Sequence, residues 1–160
     1  MGFATHLGPW LLGTIKNTTG TTVGTIRNMG ATSVGQTDPI TYTDAAASVA
    51  FVIPAGSIIT NIAFYSTTAF VGTTPTITVY INGTAVTTAV AMTSGTAFNG
   101  TLSLAQTTAA AALLTNVGST DAVVTYTIGG TALSAGAGTL LVEYIVRNSD
   151  GSSNPTTYQQ

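Results

Sequence analysis

The chain has 160 residues, of which 44% are hydrophobic and only 5% charged; three Lys or Arg stand against five Asp or Glu, for a formal net charge of -2. The length suits one domain with a sizeable core, and the charged fraction is far below the roughly 25% of ordinary soluble globular proteins. Three cations, Lys16, Arg27 and Arg147, exclude a phosphate-neutralising nucleic-acid surface, and the absence of cysteine excludes disulfides, thiolate zinc sites and thiol nucleophiles.

Residues 1–48 read as an extended arm. Gly2, Gly8, Gly13, Gly20, Gly24, Gly30 and Gly35 recur among threonines, no helical stripe persists, and strand alternation lasts only a few residues at a time. Forty residues, fully extended, would reach on the order of 130 Å. The apolar run Leu7–Ile15 is broken by Gly8, Pro9 and Gly13. It falls short of the roughly 20 residues of a membrane span, and without a basic leader it is read as mature protein instead of a signal peptide.

Two copies of one motif lie in this arm, LGTIKN at Leu12–Asn17 and VGTIRN at Val23–Asn28. In an extended segment the Ile and the following cation fall on opposite faces. Ile15 and Ile26 would then press on a surface while Lys16 and Arg27 meet acidic groups beside it. The other reading is a pair of similar edge strands or a hairpin on the same domain, its cations in solvent. Trp10 and Leu11 lie outside the alternating body, so they dock on another subunit or pack on their own domain; Trp is a favoured interface anchor.

From Val49 the pattern is that of strands, and residues 49–148 form the expected body. VAFVIP ends at Pro54, and Ala55–Ser57 turns into IITNIAFY, where Ile58, Ile62 and Phe64 share a face with Thr60. In TITVYING, Ile77, Val79 and Ile81 alternate with Thr76, Thr78 and Tyr80, and Asn82-Gly83 predicts a hairpin turn. Gln106–Thr115 reads either as a short helix or as strand and loop, since Ala favours helix and Thr does not. DAVVTYTIGG places Ala122, Val124, Tyr126 and Ile128 on one face, with Gly129-Gly130 closing the strand. In the last strand Leu140, Val142, Tyr144 and Val146 face one way and Leu141, Glu143, Ile145 and Arg147 the other. That second face is too apolar to leave wholly in water and calls for cover by another subunit or by the arm. The polar tail, 149–160, follows. Short strands, few helices and frequent turns indicate an all-β fold, an antiparallel β-sandwich of jelly-roll character.

Candidate chemistry is sparse. His6 is the only histidine and sits in THLGPW, a packing or hydrogen-bonding context with no orienting carboxylate or nucleophile. Asp38 and Asp44 flank PITYT; a paired-carboxylate site is one reading and turn capping the other. DGSSN at Asp150–Asn154 lacks the ligand spacing of a calcium loop, and no glycine cluster forms a phosphate-binding signature. No catalytic residue, cofactor or metal ligand is assigned, and an enzyme is not expected. Tyr65 and Tyr80, on the polar strand faces, are candidates for a carbohydrate platform, subunit contacts or cross-strand packing.

The stretches MGFATHLGPWLLGTIKNTTGTTVGTIRNMG, VIPAGSIITNIAF and GTLLVEYIV together resemble the capsid decoration, or cement, proteins of tailed bacteriophages, of the kind carried by aquatic phages. The resemblance is most specific in the first thirty residues. It implies a β-sandwich or jelly-roll body on the outside of an icosahedral head, commonly trimeric and stabilising contacts between major capsid protein subunits. The N-terminal portion would then help to fasten the body, a role that falls here on Gly8, Pro9, Trp10, Lys16 and Arg27. The expected partners are the major capsid protein and further copies of the chain, a trimer being favoured, with no nucleic acid and no membrane, and the expected location is the outer surface of the virion. A tail, neck or fibre component and a carbohydrate-binding module are the competing readings.

Overall fold

The computed structural model describes residues 15–17, 27–29 and 33–146. Nine strands and one helix are assigned among them: β1 (Ile15–Asn17), β2 (Arg27–Met29), β3 (Ser33–Thr41), β4 (Ser48–Ile53), β5 (Ile58–Ile81), β6 (Thr84–Ala85), β7 (Val90–Ala91), β8 (Asn99–Thr101), α1 (Thr108–Thr115) and β9 (Ala122–Ile145). All but β1 and β2 belong to one antiparallel sheet of seven strands, in which β5 and β9, each of 24 residues, pair along their whole length.

That long ribbon has two halves. The first half of β5 and the last of β9 pair from Ile58↔Ile145 to Thr68↔Ala137, flanked by β3 on β9 and β8 on β5. The other halves pair from Thr76↔Gly129 to Ile81↔Val124, flanked by β4 on β9 and by β6 and β7 on β5. Between them the register shifts repeatedly, and positive φ angles cluster there at Gly72, Thr74, Gly130, Ala132 and Gly136. The ribbon bends at this point, and the inward residues of both halves meet in one core: Ile62, Phe64, Leu140 and Val142 with Ile77, Val79, Ile81 and Val124. The all-β, sandwich-like architecture expected from the alternation is therefore built from one curled sheet.

The bend has a packing cause. Phe64 and Phe70 lie against each other with ring centroids 5.9 Å apart and tilted by 60°. Opposite them run Gly136 and Gly138: a Cβ on Gly136 would fall within the Phe70 ring, and one on Gly138 would strike the Phe64 ring and come within 2.6 Å of the Tyr65 carbonyl. Two bare backbone positions thus let two aromatic rings close the inside of the curl.

Most of the predicted faces are observed. Ile77, Val79 and Ile81 are buried beside outward Thr76, Thr78 and Tyr80, and Leu140, Val142 and Tyr144 are buried beside outward Leu141, Glu143 and Ile145. The Asn82-Gly83 turn joins β5 to β6 with φ of 48° and 78°, the left-handed pair that a primed turn requires. Asn82 also fastens this turn to β9: its Oδ1 accepts from the Val123 N–H at 2.9 Å. The ambiguous Ala-rich stretch is a helix. Thr107 caps α1 by accepting from the Ala110 N–H at 3.2 Å, and Ala110 is buried.

Three expectations need correction. Ser33–Thr41, assigned to the arm, is a nine-residue strand of the sheet, paired with β9 from Ser33↔Ile145 to Thr41↔Ala137. Its alternation is hidden in sequence because the inward positions are Val34, Gln36, Asp38 and Ile40, half of them polar. Second, a bulge between Ile59 and Asn61 changes the parity of β5, so Ile59, not Ile58, is buried with Ile62 and Phe64 while Thr60 is exposed. Third, Gly129-Gly130 does not end its strand: β9 bends there and continues to Ile145. The polar tail from 149 onward lies outside the described residues.

Candidate functional site

The paired motif of the arm forms a ladder with itself. β1 and β2 are antiparallel, with Ile15↔Met29, Lys16↔Asn28 and Asn17↔Arg27, so the two copies of the motif pair with each other, a pairing that the docked and the same-domain arrangements both accommodate. Lys16 and Arg27 occupy successive rungs of it. Trp10, Leu11 and Ile26 lie outside the described residues. Met29 is joined to β3 by residues 30–32 alone.

Directly opposed residues of antiparallel strands share a face, so the register defines the outer surface of the β3-β9-β5 half. Its successive rows are Ser33–Ile145–Ile58, Gly35–Glu143–Asn61, Thr37–Leu141–Ala63 and Pro39–Thr139–Tyr65. Leu141 and Ile145, expected on an apolar outer face, are there and half-buried, and Tyr65 is 45% exposed one row beyond Leu141. Gly35 leaves the β3 side of the Glu143 row without a side chain.

Tyr80 is on the other half of the ribbon, opposite Thr125 and half-buried, so the bend separates it from Tyr65 and the two form no common platform. The outer surface of that half carries a different patch, made by Val49 (63% exposed) and Val52 (46%) of β4 beside Val123 of β9. Sequence alternation did not single out this patch, because the odd spacing of Val49 and Val52 puts them on opposite faces of a regular strand, and only the shift between Val49 and Phe51 brings both outward.

The Asp38 and Asp44 pair has a structural explanation. Asp44, at the corner between β3 and β4, accepts hydrogen bonds from the Thr41 N–H and the Thr41 hydroxyl, and from the Tyr126 hydroxyl across the sandwich, each at 2.7 Å. Burial pushes the Asp44 carboxyl up, but the Thr41 N–H, the Tyr126 hydroxyl and the Thr41 hydroxyl outweigh it and hold the pKa below the usual value. Burial and then the Asp44 charge hold the Asp38 carboxyl above its usual value. Burial, then the hydrogen bond to Asp44 and the two carboxylate charges, push the Tyr126 hydroxyl well up. The corner is a latch tying the β3–β4 connection to β9. Close by on the inward side of β3, Gln36 Oε1 is buried with no hydrogen-bond partner among the described residues.

Charge is partitioned along the chain. Residues 33–146 contain four carboxylates, Asp38, Asp44, Asp121 and Glu143, and no Lys, Arg or His, so every cationic side chain belongs to the flanking segments. Among the described residues no group of three or more His, Cys, Asp or Glu converges on a common point, and no helix is long and apolar enough to cross a membrane. No protein-family model matches the chain, and no match is found among curated proteins.

Proposed function

We propose that this protein is a structural component of a bacteriophage virion that binds the outer surface of the major capsid protein lattice and stabilises the head. The observation that carries the reading is the character of the outer surface: a small sandwich whose two outer faces hold half-buried or exposed aliphatic residues (Leu141, Ile145, Val49, Val52, Val123) in a nearly uncharged setting of hydroxyls. Such a surface has little self-repulsion to keep it dispersed, and apolar patches of this kind mark contact sites. The resemblance of the first thirty residues to decoration proteins supports the same reading and supplies a fastening segment, with Trp10, Leu11, Ile15, Lys16, Ile26 and Arg27 as its contact residues. Repetition on a fixed lattice multiplies weak contacts through effective concentration, so few charges suffice.

The test is reconstitution. Heads lacking the protein are mixed with the purified chain, sedimented, and imaged as a particle reconstruction. Saturable binding, with density repeated over the whole shell and increased resistance of the heads to heat, is expected. Failure to sediment with heads, or density confined to one vertex as for a neck, tail or fibre component, overturns the proposal.

A further inference from the structure

Strand β3 forms one margin of the seven-stranded sheet: among the described residues it pairs with β9 on one side and with no strand on the other, and β1 and β2 ladder with each other in a separate sheet. Two hydrogen bonds fix which of its backbone groups face that open side. The Tyr42 N–H donates to the Gly136 carbonyl at 2.9 Å, and the Leu102 N–H to the Ile62 carbonyl at 2.8 Å. The first turns Tyr42 toward β9. The second turns Ile62 toward β8, hence its partner Val142 away from β5 and toward Gln36. The ladder between β3 and β9 has no register shift, so even positions of β3 direct their N–H and C=O at β9 and odd positions direct theirs out of the sheet.

Exposed edge strands are normally blunted, and one half of β3 is. At Thr41 both outward groups are taken by the corner: the N–H donates to Asp44 Oδ2 at 2.7 Å and the carbonyl accepts from the Asp44 N–H at 3.2 Å. Pro39 has no N–H to give. The other half is bare. Among the described residues no hydrogen bond reaches the outward N–H and C=O of Ser33, Gly35 and Thr37, and no side chain from Ser33 to Thr37 carries a charge. On the inward side of this same stretch, Gln36 Oε1 is buried without a partner, so backbone and side chain lack hydrogen bonds at one place. The other outer strands are unlike it: β6, β7 and β8 have two or three residues each, and β4 is interrupted by the shift at Val49/Phe51.

We propose that the open half of β3 pairs, antiparallel, with the same stretch of a second copy of this chain about a two-fold axis at Gly35. The extent of the bare edge selects this occupant. With Gly35 opposite Gly35 of the second copy, Ser33 faces Thr37 and Thr37 faces Ser33, and each rung exchanges two hydrogen bonds. Every open group is then used, and nothing is asked of Pro39 or Thr41, whereas a longer extended segment would run into both. On the inward side Gln36 stands diagonal to Gln36 of the second copy, within reach of long side chains; the two amides exchange N–H···O bonds, which gives Oε1 the acceptor role it lacks. The two Asp38 carboxylates lie about 20 Å apart along the strands, so no like charges meet. The contact is isologous and joins two sheets into one. It needs no shell protein and goes beyond the capsid reading.

The chain has no cysteine, so a single substitution reports the register. A Cβ on Gly35 meets only Leu141 Cδ1, at 3.4 Å, and across the axis the two Gly35 Cα atoms would stand about 5.5 Å apart, within disulfide range; two Ser33 residues would be about 14 Å apart. Gly35→Cys and Ser33→Cys are oxidised and run on a non-reducing gel, the melt of each reduced variant being checked against wild type. A covalent dimer from Gly35→Cys and little from Ser33→Cys is expected; no dimer from Gly35→Cys, or equal yields, overturns the proposal. Light scattering on the wild-type chain over a dilution series is expected to rise toward twice the chain mass, and a mass of one chain throughout refutes the contact. Ser33→Lys/Thr37→Lys and Ser33→Asp/Thr37→Asp, which alter exposed positions only, each place like charges on the outer rungs and give monomers; mixed, they restore the dimer, and a mixture that stays monomeric counts against the two-fold. Hydrogen exchange separates the remaining occupant: Gly35 and Thr37 amides protected in a monomer would place the chain's own segment on this edge and overturn the proposal. With no heads present in any of these measurements, failure of the capsid reading leaves this contact untouched, and the reverse.

Discussion

Gly136→Ala is the sharpest probe of the curl. The new methyl would occupy the space of the Phe70 ring, and Gly136 has φ of 144°, a backbone region that L side chains rarely adopt. Overpacking a core site costs about 1–3 kcal/mol, and holding a non-glycine residue in such a conformation costs about 1–3 kcal/mol more. The combined loss of about 2–6 kcal/mol is a large share of the roughly 5–15 kcal/mol of a typical domain, equivalent to a Tm drop on the order of 10 °C. Urea unfolding followed by circular dichroism measures it. The ring-specific part is isolated by a cycle with Phe70→Leu: if the clash is with the ring, Gly136→Ala is less damaging in that background, by about 1–3 kcal/mol. A loss below about 0.5 kcal/mol, or strict additivity in the cycle, would show that the Phe70 contact does not shape the bend.

Asp44→Asn is expected to cost about 1–3 kcal/mol at neutral pH, since the corner bonds go to a charged acceptor. The folded pKa of Asp44 lies below its ordinary value of 3.8, so its contribution is complete above that value and fades as pH falls through the lower folded pKa; melts of wild type and variant should converge in acid, and a constant gap down to the lowest accessible pH would contradict this. Asp38 has the opposite sign: its folded pKa is raised, so the ionised form opposes folding at neutral pH and the penalty is relieved as pH falls through the folded pKa toward the unfolded one. Asp38→Asn should raise Tm at pH 7 and lose that advantage in acid, and an unchanged or lower Tm at pH 7 would refute it. Asn82→Ala removes the acceptor for the Val123 N–H and places a less tolerant residue at φ of 48°. A loss of about 1–2 kcal/mol is expected, with Asn82→Gly recovering the backbone share; equal stability of all three proteins would show that the turn is not strained.

The alternation of β-branched and aromatic residues with Thr made the β5 and β9 faces readable, because a half-buried strand writes its burial directly into a period of two. Asn82-Gly83 was readable for a related reason: few residue pairs tolerate two successive left-handed conformations. The legible pattern failed where a strand stops obeying its period. The bulge at Thr60 and the shift at Val49/Phe51 each change which residues face inward, and neither carries a compositional mark. β3 escaped notice because Gln36 and Asp38 take inward positions, placing polar residues where a core pattern is sought. Gly129-Gly130 looked like a terminus, since a strand end and a strand bend demand the same backbone freedom. Of the candidate site, Leu141, Glu143 and Ile145 could be placed on a common outer face from sequence alone. That Gly35 and Ile58 border the same face follows only from pairing with distant strands, which no local pattern encodes.

The shared ribbon also governs how the molecule can be made. Ile81 must find Val124, and Ile58 must find Ile145 near the far end of the sheet, so the order of zippering runs from the closer pair to the more distant one. Such high contact order makes for slow folding, and since both halves draw on the same two strands, neither is complete until β9 has left the ribosome. Until then β5 presents unpaired backbone along its length, a template for errant association. Any partnering surface of the finished molecule therefore matures last, which ties the start of assembly to the end of synthesis.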